Sequence, residues 1–164
     1  MSSNTDIANQ RTALLYYIKA MGESDNYINT ITKYTEDEFD LDKITIYPLL
    51  NIDIGDFILP SEGNTVIFNI NLSCWNIRDI NSEVNTDKFW GQDNLEDNLN
   101  GTFDSLNRIT KKLIRDLDNN NITSVSDISG VKQIDKGVNL TDGYNCNFQV
   151  EMPNVTLDLC GEVC

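Results

Sequence analysis

The chain contains no histidine in its 164 residues. Imidazole is the commonest general base and metal ligand in proteins, and neither a Ser-His nor a Cys-His couple can be assembled without it. The absence therefore argues against most hydrolase mechanisms.

Basic residues are also scarce. The chain has 12 lysines and arginines against 26 acidic residues, which gives a formal net charge of −14. A surface of that sign repels phosphate groups, so contact with DNA, RNA or an anionic membrane is disfavoured. DNA that passed close to such a surface would slide along it without being held.

Long apolar runs are missing too. The first ten residues, MSSNTDIANQ, carry neither the positive nor the apolar region of a secretory signal, and no run reaches the length of a membrane span. We expect a chain that is made in soluble form. Its length and its 40% apolar content predict a single domain over residues 1–164. Residues 1–5 and 154–164 are expected to be tails that are flexible or are ordered by a partner.

The chain has four cysteines. Cys74 and Cys146 fall in strand-like runs, where cysteine packs as a small apolar residue. Cys160 and Cys164, in CGEVC, have a spacing that a metal or redox site could use, but a structural zinc site needs four ligands. We therefore expect free thiols, a mobile C-terminal tail, and neither a metal nor a cofactor.

Two segments have helical periodicity. Over residues 6–21, helical spacing is kept by the apolar residues Ile7, Leu14, Leu15, Ile18 and Met21, and Gly22 is the expected stop. A stronger stripe predicts a second helix over 95–117, with basic residues towards its C-terminal end. This stripe consists of Leu95, Leu99, Phe103, Leu106, Ile109, Leu113, Ile114 and Leu117. Residues 23–42, after the first helix, are polar and acidic and are expected to hold at most short structure.

Alternating segments predict strands. Residues 44–57, ITIYPLLNIDIGDF, alternate as a half-buried strand in which Pro48 indicates an edge position or a bulge. Residues 65–77 alternate in the same way, and the two segments should pair as an antiparallel hairpin. Weaker strands are expected in 122–138, and a turn at Asp142 and Gly143 precedes a last strand. The inward residues of that strand are expected to be Tyr144, Cys146, Phe148, Val150 and Met152.

The order of these elements, α-β-β-α-β-β, predicts the α+β class. We expect a small antiparallel four-stranded sheet that is packed by one long amphipathic helix, with an N-terminal helix in addition. Burial of the helix stripe and of the inward strand residues supplies the core.

Asp53 and Asp56 flank a glycine at the end of the first predicted strand. They could form an acid pair or join Asp40 or Asp42 in a calcium site, but the spacing lacks the dense ladder of oxygen ligands of a calcium loop. We interpret them as the outward, negative side of a strand, which faces solvent, DNA or a neighbouring subunit. An enzyme that uses these carboxylates or the cysteines is the least favoured hypothesis.

Basic and aromatic residues form a candidate interface. A third of the chain's positive charge lies within eight residues of the second helix, where it could meet a neighbour's acidic surface or form a solvated face paired with acids of the same helix. Trp75 and the aromatic pair at 89–90 are either core residues or interface anchors. The candidate subunit interface comprises Arg108, Lys111, Lys112, Arg115, Phe89 and Trp90.

The element order resembles that of the small neck and tail-terminator ring proteins of tailed bacteriophages. The resemblance is carried by the segments ITIYPLLNIDIGDF, NTVIFNINLSCWNI and GYNCNFQVEMPNVTLDLC, and it spans residues 7–160. It is closest to forms from phages of Bacteroidetes hosts, of the crAss-like type. It rests on the overall pattern and on a tyrosine-proline strand.

The resemblance implies a non-enzymatic structural virion protein that is made in the host cytoplasm. Such subunits form a homo-oligomeric ring, a hexamer or a dodecamer, in the neck or at the upper end of the tail. The ring surrounds the DNA exit channel, contacts adjacent portal, neck or tail proteins, and lets DNA pass without specific binding. Residues 23–42 and 79–93 are longer than in shorter members and are expected to reach neighbours. The alternative is an acidic, non-enzymatic binding module that engages a basic protein partner.

Overall fold

The computed structural model describes residues 10–33, 47–79, 94–115, 124–136 and 140–154. These residues form two helices and six strands and confirm the α+β class. In chain order the elements are α1 (Gln10–Glu23), β1 (Thr30–Thr32), β2 (Leu49–Ile58), β3 (Thr65–Ile77), α2 (Leu95–Arg115), β4 (Ser124–Val125), β5 (Ser129–Lys136) and β6 (Thr141–Pro153).

The strands form one mixed sheet. Its order is β1-β2-β3-β6, and both β4 and β5 pair with the remaining edge of β6. β1 runs parallel to β2, and the other pairs are antiparallel. The predicted four-stranded antiparallel sheet is therefore corrected to a six-stranded mixed one. The acidic segment after α1 contributes β1, and the weakly apolar sequence after α2 divides into β4 and β5.

β2 lies inside the sheet, between β1 and β3, so the edge position inferred from Pro48 is wrong. Pro48 precedes the strand, after a cis peptide bond with Tyr47, and at that place its missing N–H interrupts no ladder pair. Its carbonyl accepts a hydrogen bond of 2.9 Å from the Asn29 amide, just before β1. The bulge in β2 lies further along, between Ile54 and Phe57.

Both helices pack on the same face of the sheet, α1 over β2 and α2 over β3 and β6. The inward residues predicted for the last strand and for the described part of the hairpin point to this covered face. Ile44 and Ile46, predicted to be inward as well, lie outside the described residues. Burial alternates along most of β3 as expected. The core comprises Leu14, Ile18, Met21, Leu50, Ile52, Ile54, Val66, Phe68, Ile70, Leu72, Cys74, Leu106, Ile109, Leu113, Phe148, Val150 and Met152.

The buried stripe of α2 is narrower than predicted. Phe103 and Ile114 are 54% and 46% exposed, although the helical pattern placed them in the core. α2 lies over β3 and β6, and in the described part of the chain the sheet continues beyond β6 as β4 and β5. The outer flank of the helix is therefore incompletely covered. Thr102 and Ser105, which the pattern left out, are fully buried instead.

α1 ends at Glu23, one residue beyond the stop predicted at Gly22. A Cβ on Gly22 would lie 2.7 Å from Leu50 Cδ2, at the end of a side chain that could shift. Gly143 and Asp142 belong to β6, so the predicted turn is wrong. A Cβ on Gly143 would lie 1.9 Å from the carbonyl oxygen of Cys74, which only glycine permits. The Asp142 carboxylate is bound by Nε and Nη2 of Arg78.

The expected tails lie outside the described residues, apart from Asn154. Its amide donates a hydrogen bond of 2.6 Å to the carbonyl of Asn64, in the turn between β2 and β3. Phe89, Trp90, Cys160 and Cys164 also lie outside the described residues.

Candidate functional site

The face of the sheet opposite the helices is polar, and we call it the amide face. It is built by the odd-numbered positions of β3 and β6 and by their partners in β2. One row across it joins Asp53, Asn71 and Asn147, and an adjacent row joins Asn69 and Gln149. The amide face comprises Asn51, Asp53, Asn69, Asn71, Ser73, Asn145, Asn147, Gln149 and Glu151. Asn51, Ser73 and Asn145 are buried, so the other six form its accessible part.

The side chains of the amide face bind one another. Gln149 Nε2 donates to Asn69 Oδ1 at 2.9 Å, and Ser73 Oγ donates to Asn71 Oδ1 at 3.3 Å. β2, β3 and β6 contain no lysine or arginine at any position. The three central strands therefore present carboxylates and neutral amides, with no cation to hold a phosphate.

Asp53 and Asp56 are both exposed, as the sequence predicts for the outward side of a strand. Asp56 lies within β2, at the bulge between Ile54 and Phe57, and not at the turn where it was predicted. With Asp127 and the neighbouring amides, Asp53 and Asp56 line a shallow depression of about 490 Å³ on the amide face. Within the described residues, no group of three or more His, Cys, Asp or Glu side chains is arranged to hold a metal ion.

One corner of the amide face is apolar. Trp75 is 2% exposed and packs with Leu49 and Tyr47, so its position is that of a core residue. Its Nε1 donates a hydrogen bond of 2.8 Å to Oε1 of Gln133 on β5. Asn145, in the neighbouring part of β6, has a buried Oδ1 without a hydrogen-bond partner in the described structure.

The basic residues of α2 divide between two environments. Arg108 binds Asp25 through Nε and Nη2, at 2.7 and 2.9 Å, and Lys112 Nζ donates to Ser24 Oγ at 2.7 Å. Both contacts join α2 to the turn that follows α1. Two members of the predicted interface thus make contacts within the chain, although the Arg108 side chain is still 50% exposed.

Asp25 is the buried end of this contact. Burial acts to raise the pKa of its carboxyl, but hydrogen bonds from Arg108, the Tyr27 amide and Ser105, together with the Arg108 charge, hold that pKa below its usual value. The carboxylate therefore stays charged at neutral pH, because its hydrogen-bond donors compensate for the loss of water around it.

Lys111 points to the other flank of α2, where it lines a groove; Arg115, the last member of the predicted basic set, is exposed in the final turn of the helix. The groove lies between α2 and the edge formed by β4, β5 and β6, and it has a volume of about 550 Å³. We call it the α2 groove. It is lined by Phe103, Leu106, Asn107, Thr110, Lys111, Ile114, Val125, Ser126, Asp127, Ile128, Gly130, Tyr144 and Cys146.

The α2 groove is open because little side-chain volume lies opposite the helix. Gly130 sits across from Cys146 and contributes no side chain to the floor. Phe103 meets the Tyr144 ring edge to face, with centroids 5.9 Å apart, and the rest of its ring is accessible. The exposed apolar residues of α2 are therefore one wall of this groove.

A second apolar surface stands at the end of the β2–β3 hairpin. Phe57, Ile58 and Leu59 are 60%, 48% and 58% exposed. They follow the bulge in β2, which disturbs the alternation that would otherwise have turned each second residue inward. We call these three residues the hairpin tip.

The thiols that lie in the described residues are free. Cys74 is buried beneath the helices, and burial raises the pKa of both Cys74 and Cys146. Because the thiolate is the nucleophile, both groups are poor candidates for chemistry.

Sequence reasoning missed the groove and the tip. A signal for the tip was present, since three consecutive apolar residues before a turn break the strand alternation. No comparable signal marked the groove, because it depends on how far the sheet extends beneath α2.

None of the described helices is long and apolar enough to cross a membrane. The chain matches no protein-family model, and no curated protein shows significant similarity to it.

Proposed function

We propose that this chain is a structural virion protein that forms a homo-oligomeric ring in the head–tail connector or at the top of the tail of a tailed phage. The ring is a hexamer or a dodecamer, surrounds the DNA exit channel, and joins neighbouring portal, neck or tail proteins. The observation that carries the proposal is the amide face, which combines carboxylates and amides with an absence of cations in β2, β3 and β6.

In this arrangement the amide face lines the channel. DNA binding that is independent of sequence comes from lysine and arginine contacts with phosphates. The central strands offer none, and Asp53 and Glu151 repel the phosphates. The amides satisfy one another or bind water, so the surface stays hydrated without gripping the DNA.

Assembly is the property to test. Native mass spectrometry of the purified full chain is expected to give a closed oligomer of a single subunit number. Purified phage particles should contain the chain in a fixed ratio to the portal protein. A strictly monomeric chain that is absent from particles would contradict the proposal.

The depression lined by Asp53, Asp56 and Asp127 favours a second candidate, an acidic module that binds a basic protein. Such a complex would dissociate as salt is raised, because exposed charges are screened. A monomeric chain that captures one basic protein, and loses it when Asp53 and Asp56 are both changed to asparagine, would favour this function over the ring.

A further inference from the structure

We propose that the hairpin tip of one copy of this chain docks in the α2 groove of a second copy, in a head-to-tail contact. The inference rests on the self-association in the proposed function and names the surfaces that carry it.

The two surfaces lie on opposite flanks of the same sheet. Phe57 is opposite Phe68, Phe68 is opposite Val150, and Val150 is opposite Val125. This row runs from the hairpin tip to the α2 groove across β2, β3, β6 and β4. Three strand spacings of about 4.8 Å separate its ends by roughly 14 Å.

The tip cannot fill the groove of its own chain. The two middle residues of the row, Phe68 and Val150, are buried beneath the helices, so the core itself lies between tip and groove. A tip can enter a groove only if the groove belongs to another copy.

The surfaces match in apolar character. The tip offers three consecutive large apolar side chains that are each about half exposed or more. The groove offers Phe103, Ile114, Val125 and Ile128 around a floor that Gly130 leaves open. Large exposed apolar residues on both sides are what an interface core needs.

Charge also favours this pairing over others. Residues 44–77, which include the whole hairpin, contain Asp53, Asp56 and Glu62 and no basic residue. Residues 105–115 of α2 contain four basic residues and no acidic one. Arg108 and Lys112 contact the turn after α1, and Lys111 is the one that lines the groove. Because two copies of net charge −14 repel each other, a self-contact is favoured where it joins segments of opposite sign.

The cations at the groove are in position to meet the hairpin. Lys111 lines the groove, and Lys132 of β5 lies opposite Tyr144, another lining residue. Asp127 lines the groove as well, so the local match depends on Lys111 and Lys132 together. Asp56 and Glu62 flank the tip on either side and are exposed.

A contact of this kind is heterologous, because a tip meets a groove and not another tip. In a pair of copies, one copy still has a free tip and the other a free groove, so further copies can add at both ends. The chain of copies closes into a ring when the rotation between neighbours allows it. Asp56 and Asp127 border both this contact and the depression on the amide face. The central row of that face, Asp53, Asn71 and Asn147, belongs to neither the tip nor the groove, which leaves the centre of the face free to line a channel.

The test uses two variants of the full chain, each of which removes one side of the contact. Phe57→Ser removes an exposed aromatic ring from the tip. Gly130→Leu places a side chain at the open groove floor, and the backbone has room for its Cβ, which would lie 3.5 Å from Cys146 Sγ, an ordinary contact. Tyr16→Ser is the matched control, since Tyr16 is 61% exposed on α1 and belongs to neither surface.

Analytical ultracentrifugation should show the wild type and Tyr16→Ser as the same oligomer. Each of the other two variants should self-associate at least about tenfold more weakly, which corresponds to about 1.4 kcal/mol. Mixed in equal amounts, Phe57→Ser and Gly130→Leu should form a 1:1 dimer, because the first retains its groove and the second its tip. That dimer also shows that both variants are folded.

Three results would overturn the inference. Variants that assemble as the wild type does would refute the docking while leaving the ring intact. Variants that fail to assemble alone and also fail to pair when mixed, with unchanged circular dichroism and melting, would refute the tip-to-groove contact. A wild-type chain that is monomeric at all concentrations would refute both the docking and the proposed ring.

Discussion

Arg108 on α2 binds Asp25, in the turn after α1, through two hydrogen bonds of 2.7 and 2.9 Å. Ser105 Oγ and the Tyr27 amide donate to the same carboxylate at 3.1 and 2.9 Å. Asp25 is 8% exposed, so these donors replace its water. The contact joins the turn after α1 to α2. Arg108, one of the basic residues of α2, therefore stabilises the fold of its own chain.

Asp25→Asn should lower the free energy of unfolding by about 2 kcal/mol at pH 7, since hydrogen bonds to charged groups contribute about 1.5–3 kcal/mol each and Arg108 is half solvated. The folded-state pKa of Asp25 is lowered, so its contribution is fully present above the unfolded pKa of about 3.9. It is lost as the pH falls through the folded pKa. Urea unfolding of both proteins at pH 7, 4 and 3 should therefore show the difference shrinking with acidification.

Lys112→Ala is the control for this contact. The Lys112 hydrogen bond to Ser24 is exposed, so its loss should change the unfolding free energy by less than about 0.5 kcal/mol. If Asp25→Asn has an effect as small as that of the control, or one that does not depend on pH, Asp25 does not have the role described.

Gly143→Ala should destabilise the fold by about 3 kcal/mol or more. Its Cβ would lie 1.9 Å from the Cys74 carbonyl oxygen, so β3 and β6 would have to separate at the centre of the sheet. Gly130→Ala introduces the same methyl group at an ordinary contact distance and should be nearly neutral. Chemical denaturation of the two variants gives the comparison, and equal stabilities would contradict the packing described.

Cys74 should resist alkylation in the folded protein at pH 8. It is 0% exposed, and burial raises its pKa, so the thiolate is neither formed nor accessible. Cys146, which is only half buried, should react sooner. Peptide mapping by mass spectrometry after timed alkylation separates these thiols from Cys160 and Cys164. Modification of native Cys74 as fast as in urea would show that the helices do not cover it stably.

Placing cations on the amide face should create DNA binding. The double variant Asp53→Lys with Glu151→Lys is expected to bind double-stranded DNA at low salt, and that binding should weaken steeply as salt is raised. Glu23→Lys with Glu96→Lys gives the same change in net charge on the helices. If both double variants bind DNA with the same affinity, the binding comes from the change in net charge alone. That result would contradict a position of the amide face next to the DNA.

The sequence predicted correctly those elements in which the periodicity of apolar residues matches the face that is buried. β3 was predicted at its observed bounds, Leu14 and Ile18 of α1 are buried as expected, and Asp53 is exposed as the strand parity requires. In these segments, periodicity and burial agree because one face of each element meets the core.

The errors arose where tertiary contacts outweigh local pattern. The Asp142–Gly143 pair is typical of a turn, but it lies within β6. The glycine is required because β3 approaches the backbone closely at that point, and the buried Asp142 carboxylate is neutralised by a hydrogen bond from Arg78. β1 has too little apolar character to be recognised, since its parallel pairing depends on where β2 lies. Phe103 fits the helical stripe, yet its exposure depends on the width of the sheet beneath α2.

The candidate interface was likewise only partly visible in the sequence. The basic cluster was identified, but which of its members contact the α1 turn and which line the groove depends on the helix phase relative to α1 and β6. Phe89 and Trp90 lie outside the described residues, and their assignment to the interface stays a prediction.

Electron microscopy of the purified, assembled chain tests the central claim most directly. The account predicts a closed ring in which the amide face, marked by Asp53 and Asn147, lines the channel and the hairpin tip of each subunit lies in the α2 groove of the next. A chain that stays monomeric, or a ring whose channel is lined by the helices with the amide face turned outward, would contradict it.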